Sequence, residues 1–183
     1  DDYGLIIEYN VWDMQRVFQQ HNILSGKEKV EIDFPTNYNT ELQCLKMNEG
    51  NPYVDAYLAI IPGITLAKIY KQYQQVLLEK NVRTFLQFKG KVNKGIRNTL
   101  REEPDMFFSY NNGISTTASE IELKEEDSNL YITRLYDWQI VNGGQTTASI
   151  AASLRDSSVD LTKVFVPMKI SVIRDTENAD DLV

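Results

Sequence analysis

Cysteine and histidine are nearly missing: Cys44 and His21 are the only ones in 183 residues. One thiol cannot make an internal disulfide, and no multi-cysteine metal site can be built from it. A single imidazole excludes histidine-rich metal centres and counts against a Ser-His-Asp triad. Long apolar runs are missing as well. None approaches the roughly 18–20 residues that a membrane-spanning helix requires, and no signal-peptide pattern is present. The expectation is a cytoplasmic protein with no membrane partner and no metal centre. No internal repeat or low-complexity segment interrupts the chain.

A 42% hydrophobic and 25% charged composition is that of an ordinary globular protein. The length suffices for one domain with a real core or for two small ones. Asp1 and Val183 both lie in stretches without start or stop signals, and the chain reads as an excised piece of a longer protein. The expected division is an N-terminal α/β segment over residues 1–52 packed on a core over 53–183, the core truncated at its C-terminal end.

Acid is locally absent. The net charge is −7, which argues against bulk affinity for nucleic acid. Yet Lys80, Arg83, Lys89, Lys91, Lys94, Arg97 and Arg101 follow one another with no Asp or Glu among them. Seven of the 19 cationic residues thus form an island, which suggests a local anion site rather than a non-specific polyanion binder.

Periodicity predicts strands over 5–9, 29–34, 42–47, 53–61, 114–123, 130–141 and 164–173. It predicts helices over 11–20, 65–81 (with Thr65 as cap), 92–100 and from about 145 onward. Residues 35–40 and 48–52 read as loops. Val92, Ile96 and Leu100 repeat at four-residue steps and stop before Pro104. Asn93, Arg97 and Arg101 make an adjoining cationic stripe beside Lys94. Asn111-Asn112-Gly113, between apolar runs, reads as a type I′ hairpin turn joining a strand at 106–110 to the next. Strands outnumber helices and hairpins mix with crossovers. The fold class is therefore α+β, a mixed and largely antiparallel sheet with several packed helices.

One stretch concentrates polar chemistry. Ile140-Val141 runs into Asn142-Gly143-Gly144-Gln145-Thr146-Thr147, an apolar strand that meets a polar turn and opens a helix. The glycines free the backbone, and the N–H groups of a helix start favour anions. The stretch lacks the spacing and the lysine of a P-loop. It either cradles a phosphate or nucleotide, or is a buried turn whose amides satisfy neighbouring backbone. The Asn111-Asn112-Gly113 turn is explained by turn chemistry alone or, functionally, faces the Gly-Gly turn across one cleft. The cationic island either solvates a surface or binds phosphate, with Arg83 and Arg97 as forks.

Pro104-Asp105 followed by Glu122-Leu123-Lys124 spells the pattern of metal-dependent nucleases, in which Asp105 and Glu122 would share Mg²⁺. Phe107, Phe108, Tyr110, Tyr131, Tyr136 and Trp138 either stack bases or fill a core, with the core reading preferred.

Three blocks precede the Gly-Gly stretch: 78–87, 91–97 and Tyr110-Asn111-Asn112-Gly113-Ile114. In this order the four resemble the AIPR family, the abortive-infection phage-resistance proteins of bacteria, over roughly residues 53–173 and more weakly near Val11-Trp12-Asp13. The resemblance implies a bacterial cytoplasmic defence protein that limits phage growth. It also implies flanking regions beyond this chain, some of them nuclease-like, as partners of the domain.

The leading expectation is a recognition or regulatory core for nucleic acid or nucleotide, whose ligand-binding residues are Arg83, Asn93, Lys94, Arg97, Asn111, Asn112, Gly113, Asn142, Gly143, Gly144, Gln145, Thr146 and Thr147. The alternatives are a metal-dependent nuclease component and a structural or self-association domain. No cofactor and no oligomeric state follow from the sequence.

Overall fold

The computed structural model of the chain describes residues 29–47, 52–78 and 91–174, the side chains of residues 75 and 91–93 excepted. The strand expected at 5–9, the helix at 11–20, most of the 48–52 loop and Arg83 lie outside the described residues.

The described chain forms one mixed sheet with helices against it, an α+β fold. The strands are β1 (Glu31–Asp33), β2 (Leu42–Met47), β3 (Val54–Pro62), β4 (Ile114–Ala118), β5 (Glu120–Glu126), β6 (Asn129–Tyr136), β7 (Gln139–Asn142) and β8 (Phe165–Ile173). Their order is β1-β6-β2-β3-β8-β4-β7, with β5 paired to β6 off this path. All pairings are antiparallel except β4 with β8, in which Ile114 lies beside Met168 and Ala118 beside Val172. β8 also pairs with β3 along its whole length, from Val54 beside Ile173 to Pro62 beside Phe165.

Alternation explains which side of this sheet is covered. On β3, Asp55, Tyr57, Ala59 and Ile61 are buried, as are Val166, Met168, Ile170 and Val172 on β8. Side chains along a strand point alternately to the two faces. Leu58, Ile60 and Phe165 therefore stand on the opposite face, between 41% and 47% exposed. The inward face carries the helices: α1 (Phe34–Tyr38), α2 (Gly63–Tyr73), α3 (Lys91–Glu102), α4 (Phe107–Tyr110) and α5 (Gly144–Ala152). α5 packs against both α2 and α3. Leu66, Ile69, Leu100 and Ile150 seal the layer, each fully buried. Burying one such side chain contributes about 1.5–3 kcal/mol.

Six local expectations need correction. The expected 114–123 strand is two strands, β4 and β5, broken at Ser119 and paired with different partners. The 35–40 segment holds α1 rather than a loop, because Asp33 Oδ1 accepts from the Thr36 backbone N–H at 2.9 Å and Pro35 sits in the first turn. α2 begins at Gly63 after an N-cap at Pro62, and Thr65 is buried inside it. Gly63 starts the helix there because its N–H donates to Val164 O at 2.7 Å. The same helix passes into a 3₁₀ turn at Gln74–Leu77, and Leu78 then bridges to Ile140. The expected 130–141 strand is two strands, broken at Asp137, whose φ is 50°.

The expected hairpin is absent, because residues before the Asn-Gly turn form a 3₁₀ turn (Pro104–Met106) and α4. A type I′ turn needs positive φ at both central residues. Of the two central residues here, Asn112 is not at positive φ and only Gly113, at +80°, is left-handed.

Candidate functional site

Two glycine turns from separate parts of the chain lie on one another. At the end of α4 the Asn111 side chain accepts the Gly113 N–H at 2.9 Å, an Asx turn that steers the chain into β4. A Cβ on Gly113 would stand 2.1 Å from the Pro167 carbonyl oxygen of β8, so the turn is pressed onto the sheet. Gly143, the N-cap of α5, has φ +89°, and a Cβ there would meet Gly113 O at 2.8 Å. Ser115 pairs with Asn142 in the β4–β7 register, which fixes the two turns side by side. The Asn111 amide and the Thr146 hydroxyl close the contact at 3.4 Å. The two turns are thus in direct contact with one another.

The first turn of α5 has no side-chain cap. Thr147 N–H makes the first helical bond, to Gly143 O at 3.0 Å. The N–H groups of Gly144, Gln145 and Thr146 therefore have no acceptor inside the helix. That end of α5 also carries the positive end of the helix dipole.

The polar residues of the two turns divide into two kinds. Thr147 is fully buried and its hydroxyl donates to Gly143 O at 3.1 Å, so it holds the turn together. Thr146 is buried and committed to Asn111, and Gly144 is buried. Asn112 and Asn142 are exposed and Gln145 is half-buried. Among the described residues none of these three side chains makes a hydrogen bond, which leaves them open to a ligand.

The cationic segment contributes α3, whose buried Ile96 and Leu100 face the core. Lys94 and Arg97 are exposed on it and pair with no acid among the described residues. Arg101 is different: its Nε and a terminal nitrogen donate to Asp156 Oδ2 at 2.9 and 2.8 Å. Hydrogen bonds from Ser158, and then from Arg101, hold the Asp156 carboxyl down to about 2. That pair clamps the end of α3 and takes Arg101 out of the free cations. Asn93 lies in the first turn of α3, and its side chain is outside the described set.

Between α3 and α4 a cavity of about 250 Å³ opens, lined by Gly95, Ile96, Thr99, Phe107, Tyr110 and Asn111. Sequence reasoning missed Gly95, Thr99 and Tyr110 as lining residues. A glycine inside an otherwise amphipathic helix was the available signal.

The metal-nuclease pattern does not assemble across a hairpin. Asp105 sits in the 3₁₀ turn before α4, 3.8 Å from Lys163 Nζ. Glu122 lies on β5, where it accepts from the Tyr136 hydroxyl at 2.5 Å and stands 3.6 Å from Arg134. Among the described residues no group of three or more His, Cys, Asp or Glu could hold a metal ion. Cys44 is buried, and desolvation pushes its thiol up. Of the aromatics, Phe107 and Trp138 fill the core, while Phe108 and Tyr110 are 44% and 61% exposed.

A family model described as AIPR protein matches residues 78–183, more than half of the chain. The chain belongs to the AIPR family. It is accordingly a protein of the abortive-infection, phage-resistance class, as its sequence blocks implied. The matched span takes in α3, both glycine turns, α5 and β8, so all the site elements above belong to the AIPR region. No curated protein and no solved structure matches the chain. Among the described residues of this AIPR protein, no helix is long and apolar enough to cross a membrane.

Proposed function

We propose that the paired glycine turns and the cationic face of α3 bind a phosphate-bearing ligand, a nucleotide or nucleic-acid strand, and that this recognition is the regulatory role of the domain in phage defence. The observation that carries the reading is the uncapped start of α5 beside the Asn111–Gly113 turn, packed on the helix that bears Lys94 and Arg97. Helix-start N–H groups and their dipole favour anions, and unpaired cations add long-range attraction. Asn112, Asn142 and Gln145 supply amides that both donate and accept.

Titration with nucleotides and short DNA or RNA at two salt concentrations tests this. Binding should weaken as salt rises, and both Arg97→Glu and Asn142→Ala should reduce it. Salt-insensitive binding, or affinity unchanged in both variants, refutes the reading.

A second reading, self-association through a second copy of this chain, draws on the outer sheet face. Leu58, Ile60 and Phe165 are exposed there, beside a groove of about 410 Å³ that Pro62 and Phe108 also line. Sedimentation of the whole chain and of Ile60→Asp decides it: a wild-type species of monomer mass removes this reading.

A further inference from the structure

We propose that the cavity between α3 and α4 is the seat of an unpaired nucleobase, with Tyr110 as its stacking wall. The proposal rests on the phosphate-ligand reading above and assigns the other half of that ligand.

Three observations converge on a flat heterocycle. The first is size. At about 250 Å³ the cavity falls just under the roughly 300 Å³ at which pockets for whole drug-sized ligands begin. It suits one ring system and leaves sugar and phosphate outside. The second is the wall. Tyr110 keeps 61% of its surface exposed while lining the cavity, whereas its neighbours Phe107 and Ile96 are buried. An exposed ring is the platform on which single-strand binders stack bases. The third is the floor. Nothing lies within 4 Å of where a Gly95 Cβ would be, so the helix holds open a space that any other residue would occupy. Glycine weakens a helix interior, so an open glycine there costs the fold something.

Two of the three polar side chains of the lining are engaged, and the Tyr110 hydroxyl has no partner among the described residues. The Thr99 hydroxyl donates to Gly95 O at 3.2 Å, and the Asn111 amide is engaged with Gly113 and Thr146. The one open hydroxyl lies in the plane of the stacking ring itself, away from the edge of a base laid on that ring, so the seat takes a base by its face and discrimination among bases is weak. Asn111, which lines the cavity and follows Tyr110 directly, touches the first turn of α5, so the cavity lies beside the glycine turns.

Calorimetric titration of the whole chain with AMP, a six-nucleotide single-stranded deoxyadenylate and inorganic pyrophosphate separates the parts. Tyr110→Ala should weaken AMP and the oligonucleotide by roughly 5- to 150-fold, the effect of losing one base–aromatic stack, while pyrophosphate affinity stays as it was. Tyr110→Phe should keep the wild-type affinities. Gly95→Leu should fill the seat and reproduce the Tyr110→Ala loss without lowering the melting temperature. Tighter binding of AMP or of the oligonucleotide identifies the source of the base. If AMP and pyrophosphate bind alike and neither Tyr110→Ala nor Gly95→Leu changes AMP, the base seat is wrong and the phosphate reading survives. If no probe binds the wild-type chain, both fall together.

Discussion

Three glycines should respond to the same mutation with opposite signs. Gly113 and Gly143 have φ of +80° and +89°, where an L side chain is strained by about 1–2 kcal/mol. Space adds to that. A Cβ at Gly113 would come within 2.1 Å of Pro167 O, more than 1 Å inside ordinary contact, and the obstacle is backbone in the middle of the sheet. Forcing such an overlap costs about 1–3 kcal/mol further. Gly113→Ala should thus lose about 2–5 kcal/mol of a total of about 5–15. In melting temperature that is a fall of about 4–20 °C for a chain of this size.

Gly143→Ala should fall in the same range, because besides the Ile114 methyl at 2.6 Å its Cβ would meet backbone, Gly113 O at 2.8 Å and Ile114 Cα at 3.0 Å. Gly95→Ala meets nothing and should gain about 0.5–1 kcal/mol. Urea unfolding followed by circular dichroism measures all three, provided the slope stays constant. A Gly113→Ala midpoint equal to wild type, or a Gly95→Ala midpoint below it, would refute the geometry.

Two further predictions concern other parts of the fold. Trp138 is fully buried and, among the described residues, its indole N–H has no partner. Trp138→Phe removes an orphan donor that itself costs about 1–3 kcal/mol, offsetting much of the lost packing, so thermal unfolding should place it well above Trp138→Ala, which loses about 3–5 kcal/mol. Asp156 should titrate at about 2 by carboxyl NMR, and Ser158→Ala should raise it more than Arg101→Ala, since the Ser158 hydrogen bonds are the larger cause. The pKa is depressed on folding. This contribution to stability is therefore complete above the ordinary carboxylate value of 3.8 and lost as pH falls toward 2. A carboxyl that titrates near 3.8 in the folded chain removes the clamp.

Much of the sheet was legible because its strands are long and alternate. The 53–61 and 164–173 readings correspond closely to β3 and β8, and the four-residue spacing of Val92, Ile96 and Leu100 marked α3. The misreadings share a cause: short-range turn chemistry is the same for several long-range partners. Asn111-Asn112-Gly113 has the residues of a hairpin turn. The structure uses them to leave a helix, because the chain before them packs against α3 and β8 rather than pairing with β4. Asp33 and Pro35 were readable as a cap and a first-turn proline, but a five-residue helix offers no periodicity to draw attention to them. At the candidate site the glycines were visible. That Gly143 rests on Gly113, and that Thr147 is structural while Asn142 is exposed, depends on burial that a linear pattern does not carry.

The one parallel pairing has a consequence for the order of assembly. β8 lies between β3 and β4, and Ile114 meets Met168 only after more than fifty intervening residues have been made. Closing so long a loop is slow compared with local pairing. Until Ile173 emerges during synthesis, β3 and β4 each present a bare edge, open to pairing with other chains. The carbonyl on which Gly113 rests also belongs to β8. A partly made chain can therefore form helices and hairpins but cannot seat its two glycine turns. A protein built this way would seat its paired glycine turns last, when the sheet is already complete.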